Sequence, residues 1–103
     1  MKQLWEILVP TVRSNGRPYR TRYHRVWDKK VREISGGLTI LKPAKGQWVN
    51  AKGELFDERM IPVRIACTRE QIVAIMDMTA AYYEQEAIFA AKVSDEVIIR
   101  NYK

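Results

Sequence analysis

The pattern of apolar and polar residues changes along the chain, and the changes divide it. From about Leu4 to Val12 the residues are mostly apolar and β-prone, which predicts a first strand that ends in the turn formers Ser14-Asn15-Gly16-Arg17-Pro18. Tyr23, Val26, Trp27, Val31 and Ile34 then recur at three- and four-residue spacing. They predict a helix with one apolar face, closed by Ser35-Gly36-Gly37. Leu38 to Leu41 reads as a second strand, stopped by Lys42-Pro43. Gln47-Trp48-Val49 and Leu55-Phe56 flank the polar turn Asn50-Ala51-Lys52-Gly53 and predict a hairpin. A third core strand is expected from about Glu58 to Ala66. Pro62 within it cannot donate a ladder hydrogen bond and so predicts a bulge or an exposed edge.

Thr68-Arg69-Glu70-Gln71 is a capping box, in which the threonine oxygen accepts from the Gln71 backbone and the glutamine side chain reaches back. The helix it starts carries Ile72, Met76, Thr79, Ala80 and Tyr83 on one stripe and is expected to end near Gln85. A fourth strand, Ala87 to Lys92, follows. Val93-Ser94-Asp95 then leads into a last β-prone segment, Glu96 to Arg100.

Taken together, the order β-α-β, β-α-β predicts an α+β fold of the ferredoxin-like split βαβ type: one antiparallel sheet with two helices on one face, plus an inserted β-hairpin. One domain over residues 1-103 is expected at this length. The second face of such a sheet has no helix over it, so Trp5, Ile7 and Val9 or their opposite-face neighbours are expected to meet another copy of the chain.

Composition changes this picture little. Hydrophobic residues make up 47% and charged residues 29%, as in ordinary globular proteins. No apolar run approaches the roughly 20 residues of a membrane span, and the opening residues read as a strand rather than a leader, so no membrane partner is expected. The single Cys67 has no internal partner, which favours a reducing, cytoplasmic setting. The net charge of +6 is local: Arg13, Arg17, Arg20, Arg22, Arg25, Lys29, Lys30 and Arg32 surround the first helix. Such a face either is solvated or binds phosphates.

Several chemistries lack their residues. One Cys and one His cannot build a structural zinc site, no phosphate-binding glycine pattern occurs, and neither metal nor cofactor is expected. Cys67, at a strand-to-helix junction, reads as inert, and His24, between Arg22 and Arg25, as a surface residue without a role. Three features remain. Trp48 beside the turn is either a packed hairpin aromatic or a platform for a flat ring. Asp57 and Glu58, with Arg59, are either an edge charge pair or ligands for ribose hydroxyls and a cation. Gln85 and Glu86 follow Tyr82-Tyr83-Glu84 where the helix dipole is already negative, a mismatch that points to use. Within one copy these segments need not meet. Across a cyclic interface they can rim a pocket for a cationic nucleoside.

At these residues the sequence resembles the bacteriophage S-adenosylmethionine lyases, once described as hydrolases. Ile7-Leu8-Val9-Pro10-Thr11-Val12-Arg13-Ser14-Asn15 looks like their opening strand, Asp57-Glu58-Arg59 before Val63-Arg64 like their acidic-basic step into a strand, and Tyr83-Glu84-Gln85-Glu86 like their aromatic-E-Q-acid helix end. Gly46-Gln47-Trp48 falls where that family has a glycine and then a tyrosine. The stretch from Gly37 to Ala66 is also similar to an uncharacterised bacterial family with an LTxL…GQW motif.

The lyase resemblance implies a PII-like homotrimer of ferredoxin-like subunits with S-adenosylmethionine at the interfaces. Glu58 and Glu86 would be catalytic, Trp48, Gln85 and Asp57 would bind substrate, and Trp48 would stand in for the tyrosine. It also implies cleavage to 5′-methylthioadenosine and homoserine lactone, which counteracts host restriction and methylation in the host cytoplasm. The alternative reading is a non-catalytic oligomeric module that binds nucleotides or nucleic acid through the Arg-rich first helix.

Overall fold

A computed structural model describes residues 1-102. Its elements are β1 (Gln3–Pro10), α1 (Thr21–Ser35), β2 (Thr39–Ile40), β3 (Ala44–Val49), β4 (Leu55–Cys67), α2 (Arg69–Tyr82) and β5 (Ala90–Ser94). The sheet is built around β4, whose 13 residues span about 43 Å at the usual rise. On one edge β4 pairs with β1, from Pro10↔Met60 to Gln3↔Cys67. On the other it pairs first with β3, over Leu55 to Met60, and then with β2 at Val63 and Arg64. β5 closes the far side of β1, all pairings are antiparallel, and the order β2-β4-β1-β5 is that of the ferredoxin-like fold.

Strand alternation decides what the helices cover. Trp5, Ile7 and Val9 of β1 and Val63, Ile65 and Cys67 of β4 are buried together with Trp27 and Val31 of α1 and Ile72, Ile75 and Tyr83 of α2. The opposite-face neighbours, Leu4, Leu8, Pro62 and Ala66, lie on the side without helices, where Arg64 Nε donates to Glu6 Oε1 at 3.1 Å. Within the core, Thr79 Oγ1 accepts from Trp27 Nε1 at 2.9 Å and donates to the Ile75 carbonyl, so the buried hydroxyl is satisfied.

The capping box forms as its residues dictate: Thr68 Oγ1 accepts from Gln71 N at 3.1 Å and Gln71 Oε1 accepts from Thr68 N at 2.9 Å. Gln71 Nε2 also donates to Ile34 O, joining the start of α2 to the end of α1. Gly36, at φ 91°, caps α1. No helix among the described residues is long and apolar enough to cross a membrane.

Several sequence expectations shift. β1 stops at Pro10 rather than Val12, because Thr11 turns away to donate its hydroxyl to Arg59 O and Val12 bridges Pro18. The hairpin arm and the third core strand are one continuous strand, β4. Pro62 makes no bulge, and the edge exposure expected at it takes the form of a break between two partner strands. Leu8 N–H is directed to Phe89 O on the β5 side, so the Leu8↔Pro62 pair exchanges no hydrogen bonds and the proline nitrogen faces the gap where β2 gives way to β3. Its carbonyl accepts there from Leu41 N at 2.9 Å. α2 ends at Tyr82 instead of near Gln85, and β5 begins at Ala90 instead of Ala87. The expected strand over 96-100 pairs with nothing among the described residues, and Val26 is exposed.

Candidate functional site

Beyond Met60 the sheet narrows to a two-stranded arm of β3 and β4, since β1 reaches no further along β4. Its turn forms as the sequence predicts: Asn50 Oδ1 accepts from Lys52 N and Glu54 N, and Gly53 takes φ 83°. Trp48 and Phe56 are cross-strand partners and stack at 4.5 Å with their planes 12° apart. Trp48 is nevertheless 48% exposed. Glu58 lies two residues along from Phe56, on the same face, and its cross-strand partner is Gly46. With no side chain at Gly46, the surface beside the indole and in front of the carboxylate is open.

Asp57 does not share that surface. Adjacent residues of a strand point to opposite faces, and Asp57 Oδ1 accepts from Gln47 Nε2 at 2.6 Å with Lys45 Nζ 3.9 Å away. The two carboxylates expected to act as a pair are therefore separated, Asp57 fastening the arm and Glu58 standing exposed on its other side.

Gln85 and Glu86 follow the end of α2, where Glu84 adopts a left-handed φ of 52° and reverses the chain. Gln85 N donates to Ala80 O at 2.9 Å and Gln85 Nε2 to Tyr83 O at 3.1 Å, so Gln85 closes the helix that precedes it. Glu86 is exposed. The Tyr83 carbonyl also accepts from the Tyr19 hydroxyl at 2.7 Å, and Tyr19 N donates to Thr11 O. Since the Thr11 hydroxyl binds Arg59 O at 2.7 Å, a chain of hydrogen bonds runs from the base of the arm to the end of α2. Both segments thus border one end of the molecule. Within a single chain no hydrogen bond or ion pair among the described residues joins Glu58 to Gln85 or Glu86.

Sequence reasoning passed over the tyrosines behind this end. Tyr19, Tyr23, Tyr82 and Tyr83 form one cluster, with Tyr23 and Tyr82 stacked at 4.2 Å and each hydroxyl donating to the other's carbonyl. His24 belongs to it: its Nδ1 lies 2.6 Å from the hydroxyl of the fully buried Tyr83. The expected idle surface histidine is instead half-buried, because α1 turns it inward beside α2. Burial pushes its imidazole below the ordinary value against the opposing pull of Asp28, and burial with nearby Asp28 pushes the Tyr83 phenol up. The pair is held as neutral ring and intact phenol. The four-residue spacing of His24 and Asp28 was the available signal. Both residues also line an open cleft of about 240 Å³ with Trp27, Ile40 and Ile61. Cys67 is fully buried and its thiol is pushed up by burial, which agrees with an inert thiol. No group of three His, Cys, Asp or Glu side chains placed to hold a metal occurs among the described residues.

No protein-family profile matches the sequence, and no curated protein does. Solved structures do match. The divalent cation tolerance protein CutA from Archaeoglobus fulgidus, described as periplasmic, superposes with a TM-score of 0.70 at 13% identity, over 97% of this chain and 89% of that one. The divalent cation tolerance protein CutA1 from Thermus thermophilus does so at 0.66 and 14%, over 94% and 88%. A phage S-adenosylmethionine lyase in complex with S-methyl-5′-thioadenosine matches at 0.66 and 14%, over 86% of this chain and 78% of that one. At such identities the likeness is one of fold, and the chain has the ferredoxin-like fold that these proteins share.

Proposed function

We propose that this chain is an S-adenosylmethionine lyase that works as an oligomer, a homotrimer by the family resemblance, with each site shared between two copies. The observation that carries the reading is the face of the arm on which an exposed indole and the Glu58 carboxylate flank the bare Gly46 position. The likeness to a lyase bound to a thioadenosine supports it, since such a face suits an adenosine ring with its ribose and neighbouring cation. Trp48 stacks on the adenine, Glu58 holds ribose hydroxyls or balances the sulfonium, and Gln85 and Glu86 of a second copy close the other side. Asp57 acts only by fastening the arm. Assembly is favoured by the large apolar side chains left exposed: Val49 at 61%, Leu55 at 60% and Phe89 at 60%.

The reaction asks little of these groups. When the substrate is bent, its own carboxylate oxygen attacks the γ-carbon, and the carbon–sulfur bond breaks with its electron pair passing to sulfur. The products are neutral 5′-methylthioadenosine and homoserine lactone, and neither a proton nor a water is consumed. The protein contributes by holding the bent conformer and excluding water. A divalent cation role, suggested by the cation tolerance proteins of the same fold, finds no cluster of ligands within one chain among the described residues. The test is incubation with S-adenosylmethionine followed by chromatography. Methylthioadenosine and homoserine lactone in equal amounts are expected, and absence of both removes the proposal.

A further inference from the structure

Between the β1–α1 connection and the first turn of α1 lies a second open cleft, of about 320 Å³, lined by Arg13, Arg20, Arg22, Tyr23, Val26 and Tyr82. Its size is at the lower end of the roughly 300–1,000 Å³ of small-molecule sites. Three arginines line one hollow, yet among the described residues none of them forms an ion pair. Like charges gathered without acids repel one another unless an anion joins them.

Their setting is built rather than incidental. The Arg13 guanidinium lies 4.4 Å from the centre of the Tyr19 ring and 5.3 Å from that of Tyr23, and it donates to Pro18 O, so its fork is held in place. The floor is the stacked Tyr23–Tyr82 pair, locked by its reciprocal hydroxyl-to-carbonyl hydrogen bonds. Arg20 and Arg22 stand at the start of α1, which has no acid in its first turn and no side-chain cap. Basic residues at the positive end of a helix oppose its dipole, and a bound anion reverses that penalty. Arginine's planar fork matches phosphate oxygens two at a time.

We infer that this cleft binds the phosphoryl group of a free nucleotide, held by Arg13, Arg20 and Arg22 above the tyrosine floor. S-adenosylmethionine carries no phosphate, so the site is separate from the lyase reading and stands or falls without it. Calorimetric titration of the intact protein with AMP, ATP, inorganic phosphate and a short oligothymidylate tests it. Saturable binding of AMP or ATP at one per chain is expected. Arg20→Gln and Arg22→Gln should each weaken it about tenfold at a melting temperature no lower than that of wild type, and Lys52→Gln at the hairpin tip should leave it alone. Arg13→Lys, which keeps the charge and loses the fork, should also weaken it. Equal affinity in wild type and the Arg20 and Arg22 variants overturns the assignment. So does affinity that grows with oligonucleotide length while AMP and ATP fail to saturate.

Discussion

The hydroxyl of Tyr19 donates to the carbonyl oxygen of Tyr83 at 2.7 Å, across 64 residues of sequence. This one bond fixes the end of α2 to the segment that Thr11 ties to the arm. Tyr19→Phe keeps the ring in its edge-on contact with Tyr83 and removes only the bond. A loss of about 1 kcal/mol is expected, read as a fall of about 5 °C in melting temperature.

Stability should also depend on His24. Its folded value lies below the ordinary 6.5, so the unfolded chain binds the proton more readily. The contribution is complete above about pH 6.5 and is lost as pH falls below it. Thermal melts at pH 7.5 and 5.5 should show wild type losing more on acidification than His24→Asn. Asp28, raised by its own burial, is held down in part by His24; in His24→Asn it rises further, which makes the variant lose still less on acidification and adds to the difference. Parallel losses would contradict this.

Adjacent carboxylates on β4 should behave differently. Asp57→Asn should leave lyase turnover within about threefold, because the side chain faces away from Trp48 and only fastens Gln47. Glu58→Gln should lower it by about a hundredfold, the scale for losing one preorganised electrostatic group. The comparison is read from initial rates of methylthioadenosine formation.

Two neighbouring glycines give a local check. Gly36 sits at φ 91° as the cap of α1, whereas Gly37 lies outside the left-handed region and has open space where a side chain would go. Gly36→Ala should cost about 1 kcal/mol in chemical denaturation and Gly37→Ala close to nothing.

Local chemistry made most of the fold legible. The capping box of Thr68 and Gln71, the turn at Gly53 and the three- and four-residue spacing of Trp27, Val31 and Ile34 are written in nearest neighbours, and each appears as read. What sequence reading missed depends on pairings distant along the chain. Nothing near Pro62 indicates that Leu8 sends its N–H to Phe89, and that is why the proline interrupts no ladder. The end of α2 is closed by Glu84 and Gln85 and held by Tyr19, far upstream, and the helix stops before its own periodicity would end it. Of the proposed site, Trp48, Glu58, Gln85 and Glu86 were readable as unusual residues, but strand alternation divides Asp57 from Glu58 once the register is known. His24 was misread because its neighbours in sequence are arginines while its neighbour in space is Tyr83.

Subunit mixing bears most directly on a site shared between copies. Glu58→Gln and Glu86→Gln proteins, each with little turnover alone, are unfolded together, refolded as mixed oligomers and assayed for methylthioadenosine. Recovery of a substantial part of wild-type turnover in the mixture, and in neither variant refolded alone, is the predicted result, since some interfaces then carry both intact carboxylates. A mixture no more active than its parts would contradict it.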